Sequence, residues 1–334
     1  MNEIAINIKG GRNHSVDLMK FFAAILITNS HMATLYPVKY ALFATGGAIG
    51  DALFFFCSGF CLMMGSNTDF FNWYKRRVNR IFPTIFAVAL IGIVFKGNDP
   101  TLKEIITRGG GWFIRAIFLF YAVFWFVKRF LLNKLWIAYA INSVFVLIWF
   151  FFFWDKSIFI FHYTYIKWPI FFMVMLMGAS MYNYEQKLLV VKKKRSGWLY
   201  LVLLIVFLLF YYGYQLIWNY YSVLKNYQIV LLLPLMGIVF AIYKLCLNDT
   251  IIRVYESKYL KWALYGISAC CLEIYLSGAW CFGIGRRLIY LFPLNVIVVF
   301  FSIFVLAYTL KVFSNFLSQT FRTEKYDWKG MVKL

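Results

Sequence analysis

The chain has 334 residues, of which 63% are hydrophobic and 22% aromatic, whereas only 14% are charged. Soluble domains contain about 45–50% apolar residues, so this composition excludes an ordinary soluble protein and predicts a polytopic membrane protein. The formal net charge of +21 does not indicate nucleic-acid binding, because the basic residues lie in short connections between apolar segments, where they fix membrane orientation.

Ten apolar segments approach the length of about 20 residues that a helix needs to cross a bilayer. They predict one all-α integral membrane domain over residues 1–334, folded as a bundle of about ten transmembrane helices. In chain order the predicted spans are 16–36, 49–65, 82–95, 112–127, 135–154, 166–184, 198–218, 228–246, 263–282 and 293–313.

Lysine and arginine are distributed unevenly between alternate connections of this arrangement. One set of connections, which includes both ends of the chain, carries 21 of them, and the other set carries 8. By the positive-inside rule both termini are predicted to be cytoplasmic, with 1–15 as an N-terminal segment and 314–334 as a tail.

The first predicted span contains Lys20 and His31 among its ionisable side chains. Eleven residues on a helix correspond to about three turns, so the two would share a face at an axial distance of about 16 Å. Ionisable groups within a membrane often mark a pathway or a reaction, and a neutral imidazole is a general base at neutral pH. Taken singly, Lys20 would equally fit a cation that snorkels to the head groups, and His31 a structural histidine.

The second predicted span contains several small residues and has one carboxylate near its start. Gly50, Ser58 and Gly59 favour a close approach of another helix. Asp51 lies at the predicted outer mouth, where a carboxylate would orient His31 or would simply be an interfacial residue.

A cluster of cations precedes the third predicted span. Arg77 and Arg80 are three residues apart and would share a helix face, and paired guanidinium groups suit bidentate phosphate binding. The alternative is that the cluster, which also contains Lys75 and Arg76, serves membrane topology alone.

In this order the motifs resemble those of the acyltransferase 3 family, the membrane-bound O-acyltransferases that modify bacterial cell-surface sugars. Lys20 and His31 are similar to that family's Arg/Lys-x10-His opening, residues 54–60 (FFFCSGF) to its F-F-x-x-S-G-F motif, and residues 77–83 (RVNRIFP) to R-x-x-R-x-x-P. The chain departs from the family near its end, where many members read Y-L-x-H and Gly278 stands at the position of that second histidine.

The resemblance implies an acyl-CoA donor, with acetyl-CoA as the expected one, and a hydroxyl of a lipid-linked or cell-surface glycan as the acceptor. It places the donor's phosphates at the cytoplasmic arginines and the acyl group at His31. The expected catalytic residues are His31 as general base, Lys20 as a cation toward the donor and Asp51 as the orienting carboxylate. The expected donor-binding residues are Arg76, Arg77 and Arg80, and the further candidates for the cleft are Asp17, Ser58, Arg115 and Glu273.

No metal is expected, and the expected location is the bacterial inner membrane, with membrane lipids as neighbours and homo-oligomerisation left open. Two other functions also fit the sequence: a transporter or flippase for a glycan or lipid precursor, since intramembrane charges also mark transport pathways, and a non-enzymatic partner in envelope assembly.

Overall fold

The computed structural model describes residues 8–9, 12–65, 69–96, 111–162, 164–188, 197–320 and 324–332. These residues are almost entirely helical, which confirms the predicted all-α class. Besides helices and their connections, they include a pair of two-residue antiparallel strands, β1 (Ile8–Lys9) and β2 (Arg12–Asn13).

The α-helices of the described part are, in chain order, α1 (His14–His31), α2 (Gly47–Met64), α3 (Phe70–Lys96), α4 (Gly111–Phe130), α5 (Leu135–Ile148), α6 (Lys167–Leu188), α7 (Gly197–Ile217), α8 (Leu232–Cys246), α9 (Asp249–Tyr255), α10 (Leu260–Ala269), α11 (Cys271–Ser277), α12 (Phe282–Arg287), α13 (Leu294–Thr320) and α14 (Trp328–Val332). A π-helical segment, Trp149–Phe153, continues α5. Short 3-10 turns are formed by Ala33–Leu35, Val38–Phe43, Ser222–Leu231, Gly278–Cys281 and Ile289–Leu291.

Every predicted span coincides with helix. Among the described residues, however, fewer than ten helical stretches are long and apolar enough to cross a membrane by themselves. Helices α1, α3 and α6 are not among them. The count of about ten and the cytoplasmic placement of both termini therefore remain predictions. In the described residues six stretches are long and apolar enough to cross a membrane, Val38–Met64, Gly111–Phe130, Leu135–Phe153, Gly197–Ile217, Ser222–Cys246 and Leu294–Thr320, and a bent pair, Leu260–Ala269 with Cys271–Arg287, makes seven if it is one span.

The helices at the two ends of the chain extend beyond the predicted spans. Helix α1 begins at His14, inside the segment 1–15, because the Asn13 side chain accepts a hydrogen bond from the Val16 amide at 3.1 Å and caps the helix. Helix α13 continues to Thr320, past the predicted end at 313.

The chain divides into two compact units, each assembled from three separate stretches. The prediction of a single membrane domain over 1–334 stays a prediction. The first unit consists of Met1–Ala23, Ala48–Ser66 and Phe126–Lys261, and the second of Ala24–Gly47, Asn67–Trp125 and Trp262–Leu334.

In the first unit, α2 and α6 approach each other until their backbones touch. A Cβ atom added to Gly59 would overlap the Met175 carbonyl oxygen, and one added to Gly178 would overlap that of Phe56. Only glycine fits at either position, so the small residue Gly59 serves the close helix approach that the sequence predicts.

Two buried lysines of the first unit are held by specific partners. The Lys244 ammonium on α8 donates to the Glu185 carboxylate on α6 at 2.6 Å, and both side chains are almost completely buried. The Lys128 ammonium donates to the carbonyl oxygens of Leu62 and Gly65 at 2.8 and 2.6 Å. Lys128 therefore caps the C-terminal end of α2, where the helix dipole favours a cation.

Candidate functional site

The second unit contains a cavity of about 240 Å³ at the C-terminal end of α1. Helix α1 contributes one wall with Ile27 and Thr28, which precede His31 by four and three residues, and with His31 itself. The predicted general base therefore lies in a concave site. His31 is the last residue of α1 and is exposed, whereas the sequence suggests an imidazole inside an apolar run.

The end of α1 is fixed by the polar residue that precedes His31 by two positions. The Asn29 amide nitrogen donates to the Phe43 carbonyl oxygen at 2.7 Å, and the Asn29 amide oxygen accepts from the Tyr36 hydroxyl at 2.6 Å. These bonds tie the connection after α1 back onto the helix. His31 is thus presented from a braced helix end.

A second tether joins this connection to the C-terminal part of the chain. The buried side chain of Asn295, at the start of α13, donates to the Leu35 carbonyl oxygen at 2.8 Å, and Leu35 itself is fully buried. A Cβ atom added to Gly285 on α12 would lie 2.9 Å from the Leu35 side chain. The connection that follows His31 is therefore packed tightly against α12 and bonded to α13.

The opposite wall of the cavity comes from α11 and the 3-10 turn that follows it. Ile274, Tyr275 and Leu276 on α11 line it, followed by Gly278 and Ala279. The Phe113 ring on α4 contacts the ring of Tyr275, with centroids 5.3 Å apart. Gly278, which stands where many family members carry their second histidine, thus lines the same cavity as His31. His31 is the one histidine among the described lining residues.

Glu273 lies one residue before this wall and is completely buried. Its Oε1 accepts from the Thr84 hydroxyl on α3 at 3.0 Å and from the Lys311 ammonium on α13 at 3.1 Å. The Thr84 hydroxyl is also 3.0 Å from that of Ser314 on α13. Glu273 therefore connects α11 to α3 and α13, and it is absent from the cavity lining.

The predicted donor-binding arginines lie in the first half of α3, in the same unit as His31. Arg76 and Arg80 are exposed and four residues apart, so they share a helix face. Arg77 is half-buried, and its guanidinium carbon lies 4.7 Å from the ring centroid of the buried Trp73. The cation–π contact fixes Arg77 beside an exposed pair of cations.

Arg115 lies one turn into α4 and is exposed. Its Nε donates to the carbonyl oxygen of Gly111 at 3.3 Å, and Gly111 is itself a lining residue of the cavity. The predicted cleft residue Arg115 is therefore hydrogen-bonded to a residue of the cavity lining.

The remaining predicted residues belong to the first unit. Lys20 is half-buried on α1, the uninterrupted helix that also carries His31. Asp17 is buried, and its Oδ2 accepts from the Tyr255 hydroxyl at 3.3 Å. Asp51 and Ser58 on α2 are half-buried, and Asp51 interacts electrostatically with Lys167 on α6.

Several cavity residues escaped the sequence interpretation. Thr28 could have been found, because it precedes His31 by three residues on the same helix. Tyr275 and Leu276 stand at the Y-L of the family's Y-L-x-H pattern, but the sequence assigns them no role in a site. Nothing in the sequence indicates that Ile27 or Phe282 faces a cavity rather than a packed core.

These observations define a multi-pass membrane protein with a small cavity beside one histidine, lined by both apolar and polar side chains. Comparison with protein families is decisive for the class: the model of a family described as an acyltransferase domain matches residues 13–315, nearly the whole chain. The chain belongs to the acyltransferase 3 family, as the motifs of its first quarter predict, and this membership supports a general acyltransferase function. No curated protein and no solved structure matches the chain.

Proposed function

We propose that the protein transfers an acetyl group from acetyl-CoA to a hydroxyl of a lipid-linked or cell-surface glycan at the inner membrane of a bacterium, with His31 as the general base. The observation that supports this most directly is the position of His31 on the wall of a cavity, beside the hydroxyl-bearing side chains of Thr28 and Tyr275. A histidine in an apolar core would have no access to substrate.

In this reaction the acceptor oxygen attacks the thioester carbonyl carbon while His31 removes the hydroxyl proton. The tetrahedral intermediate then expels the sulfur as the carbon–sulfur bond breaks, and the imidazolium returns the proton to the leaving thiolate. Because His31 ends a helix, the partial negative charge of the helix C-terminus stabilises the imidazolium between these steps. Thr28 and Tyr275 are the candidate hydrogen-bond donors for the oxyanion.

The position of the arginines fits a donor whose phosphates and thioester lie at opposite ends of a long arm. Gly92 on α3 is near Trp280, the neighbour of the cavity residue Ala279. Arg80 precedes Gly92 by twelve residues, which is about 18 Å along the helix. We assign the phosphates to Arg80 and Arg76, with Arg77 beside them.

The two other proposed roles concern residues of the first unit. Lys20 is the proposed cation toward the donor, because it shares α1 with His31. Asp51 is the proposed orienting carboxylate, with Lys167 as its charged neighbour.

The test is the acyl-ester content of surface glycans in cells that produce His31→Ala, measured as acetate released by mild alkali. General-base catalysis contributes about 10²–10⁴-fold, so a loss of at least about 100-fold is expected. His162→Ala is the matched control, because His162 is an exposed histidine outside the second unit and its loss should leave the ester content unchanged. Unchanged ester in His31→Ala, at equal protein level, would exclude His31 as the base.

A further inference from the structure

The lining of the cavity combines apolar and polar side chains. The side chains of Ile27, Ile274, Leu276 and Phe282 are apolar, and Ala279 adds a methyl group. The polar side chains of the lining are those of Thr28, His31 and Tyr275. Ligand pockets with a mostly apolar surface and a few polar groups bind an apolar body and orient one polar end.

This composition favours an acyl chain over a sugar ring as the occupant. A buried sugar would bring several hydroxyls, and each one without a hydrogen-bond partner would carry a desolvation penalty. The three polar side chains of the lining, one of which is the base, offer few partners for these hydroxyls. A short aliphatic chain needs no partner, and its carbonyl end would face His31.

Gly278 is the lining residue whose lack of a side chain is not explained by the fold. Its φ and ψ of −53° and −41° are ordinary helical values that any residue adopts. A Cβ atom at this position would meet the Ile303 side chain at 3.7 Å, an ordinary van der Waals distance. Neither the backbone nor a neighbour requires glycine, so the effect of its missing side chain is to leave space in the cavity.

We infer that the cavity beside His31 is the pocket for the acyl group of the donor, that it accepts short aliphatic chains beyond acetyl, and that Gly278 sets the length it accepts. The inference rests on the proposed function, since it concerns the donor of that reaction. The acceptor sugar binds elsewhere and presents its hydroxyl at the cavity mouth.

The experiment measures the affinities of CoA, acetyl-CoA, propionyl-CoA and butyryl-CoA for the full-length protein in detergent by calorimetry. Burial of each additional methylene should tighten binding by about fourfold until the cavity is filled. Gly278→Val should reduce the preference for butyryl-CoA over acetyl-CoA by about tenfold, and Gly278→Ala should have a smaller effect in the same direction. Phe282→Ala, which enlarges the cavity, should shift the preference toward longer chains.

Gly283→Val is the matched control, because a Cβ atom at Gly283 has no other atom within 4 Å and the residue is not in the lining. Its chain-length profile should equal that of the unmodified protein. If the substitutions at Gly278 and at Phe282 both left the chain-length preference unchanged, the assignment of the pocket would be overturned. Failure of the unmodified protein to bind any acyl-CoA would instead overturn the proposed donor, so the two failures are distinguishable. Gly278→Ala serves as the readout if Gly278→Val is not monodisperse on size-exclusion chromatography.

Discussion

Glu273 illustrates how a buried charge supports the site without belonging to it. One carboxylate oxygen binds Thr84 and Lys311, and the other, Oε2, is buried without a hydrogen-bond partner among the described residues. The side chain of Lys311 is 28% exposed, whereas that of Glu273 is completely buried. The lysine can therefore turn toward its surroundings when its partner is lost, whereas the glutamate cannot.

This asymmetry predicts the order of stability among isosteric variants. Lys311→Met should destabilise the protein more than Glu273→Gln, because it leaves a fully buried carboxylate without its cation. Losses of about 2–3 kcal/mol and about 1 kcal/mol, respectively, are expected. The double variant should lose less than the sum of the two, measured as apparent Tm in detergent. Equal, additive losses would show that the two side chains are not coupled.

At the scale of the helix, the sequence predicts where helices lie better than where they break. Residues 263–282 read as one continuous span, yet the structure has α10 and α11 bent by 61° around Cys270. No proline stands at the break, and the nearby Gly266 and Ser268 are only weak local signals for it. The tie of Glu273 to α3 and α13 is a tertiary contact between residues about 190 and 40 positions apart in the chain.

The residues of the candidate site likewise include some that the sequence predicts and some that it does not. His31 was predictable because an ionisable side chain beside an apolar run is conspicuous by chemistry alone. Tyr275 and Ile274 were not, since an aromatic or aliphatic residue in an apolar helix is compatible with core, lipid or cavity. Which of these surrounds it depends on the bend after Cys270, and so on contacts between distant parts of the chain.

Helix α3 provides a prediction about donor binding. Replacing both exposed arginines, as Arg76→Gln with Arg80→Gln, should weaken acetyl-CoA binding about tenfold, because each exposed charge contact contributes up to about 1 kcal/mol. The remaining affinity should depend less on salt concentration, since the screened charges are gone. Calorimetry over a range of salt concentrations measures both effects.

The control for this prediction removes the same charge elsewhere. Arg286 and Arg287 are adjacent exposed arginines at the end of α12. The pair Arg286→Gln with Arg287→Gln should leave the affinity for acetyl-CoA unchanged. An equal loss in both double variants would mean that the donor is attracted by net charge alone, and that α3 holds no specific phosphate site.

For the whole molecule, the open question is how many helices cross the membrane. Helix α6 lies among the ten predicted spans but is absent from the six stretches that are long and apolar enough by themselves. Its close contact with α2 through Gly59 and Gly178 shows that it packs within the first unit. A helix packed against others can cross a bilayer with a less apolar composition, because its polar residues face protein instead of lipid.

The crossing of α6 predicts the sides on which Ser157 and Ser257 lie. With ten spans, three crossings separate these residues, so they would lie on opposite sides of the membrane. With only the six stretches, two crossings separate them, and they would lie on the same side. We expect a membrane-impermeant maleimide to label Ser157→Cys in intact cells and Ser257→Cys only after permeabilisation, because the connection of Ser257 belongs to the lysine-rich and arginine-rich set. The unmodified protein, whose six cysteines are buried or half-buried, measures the background. Labelling of both variants from the same side would contradict the crossing by α6 and the ten-span arrangement.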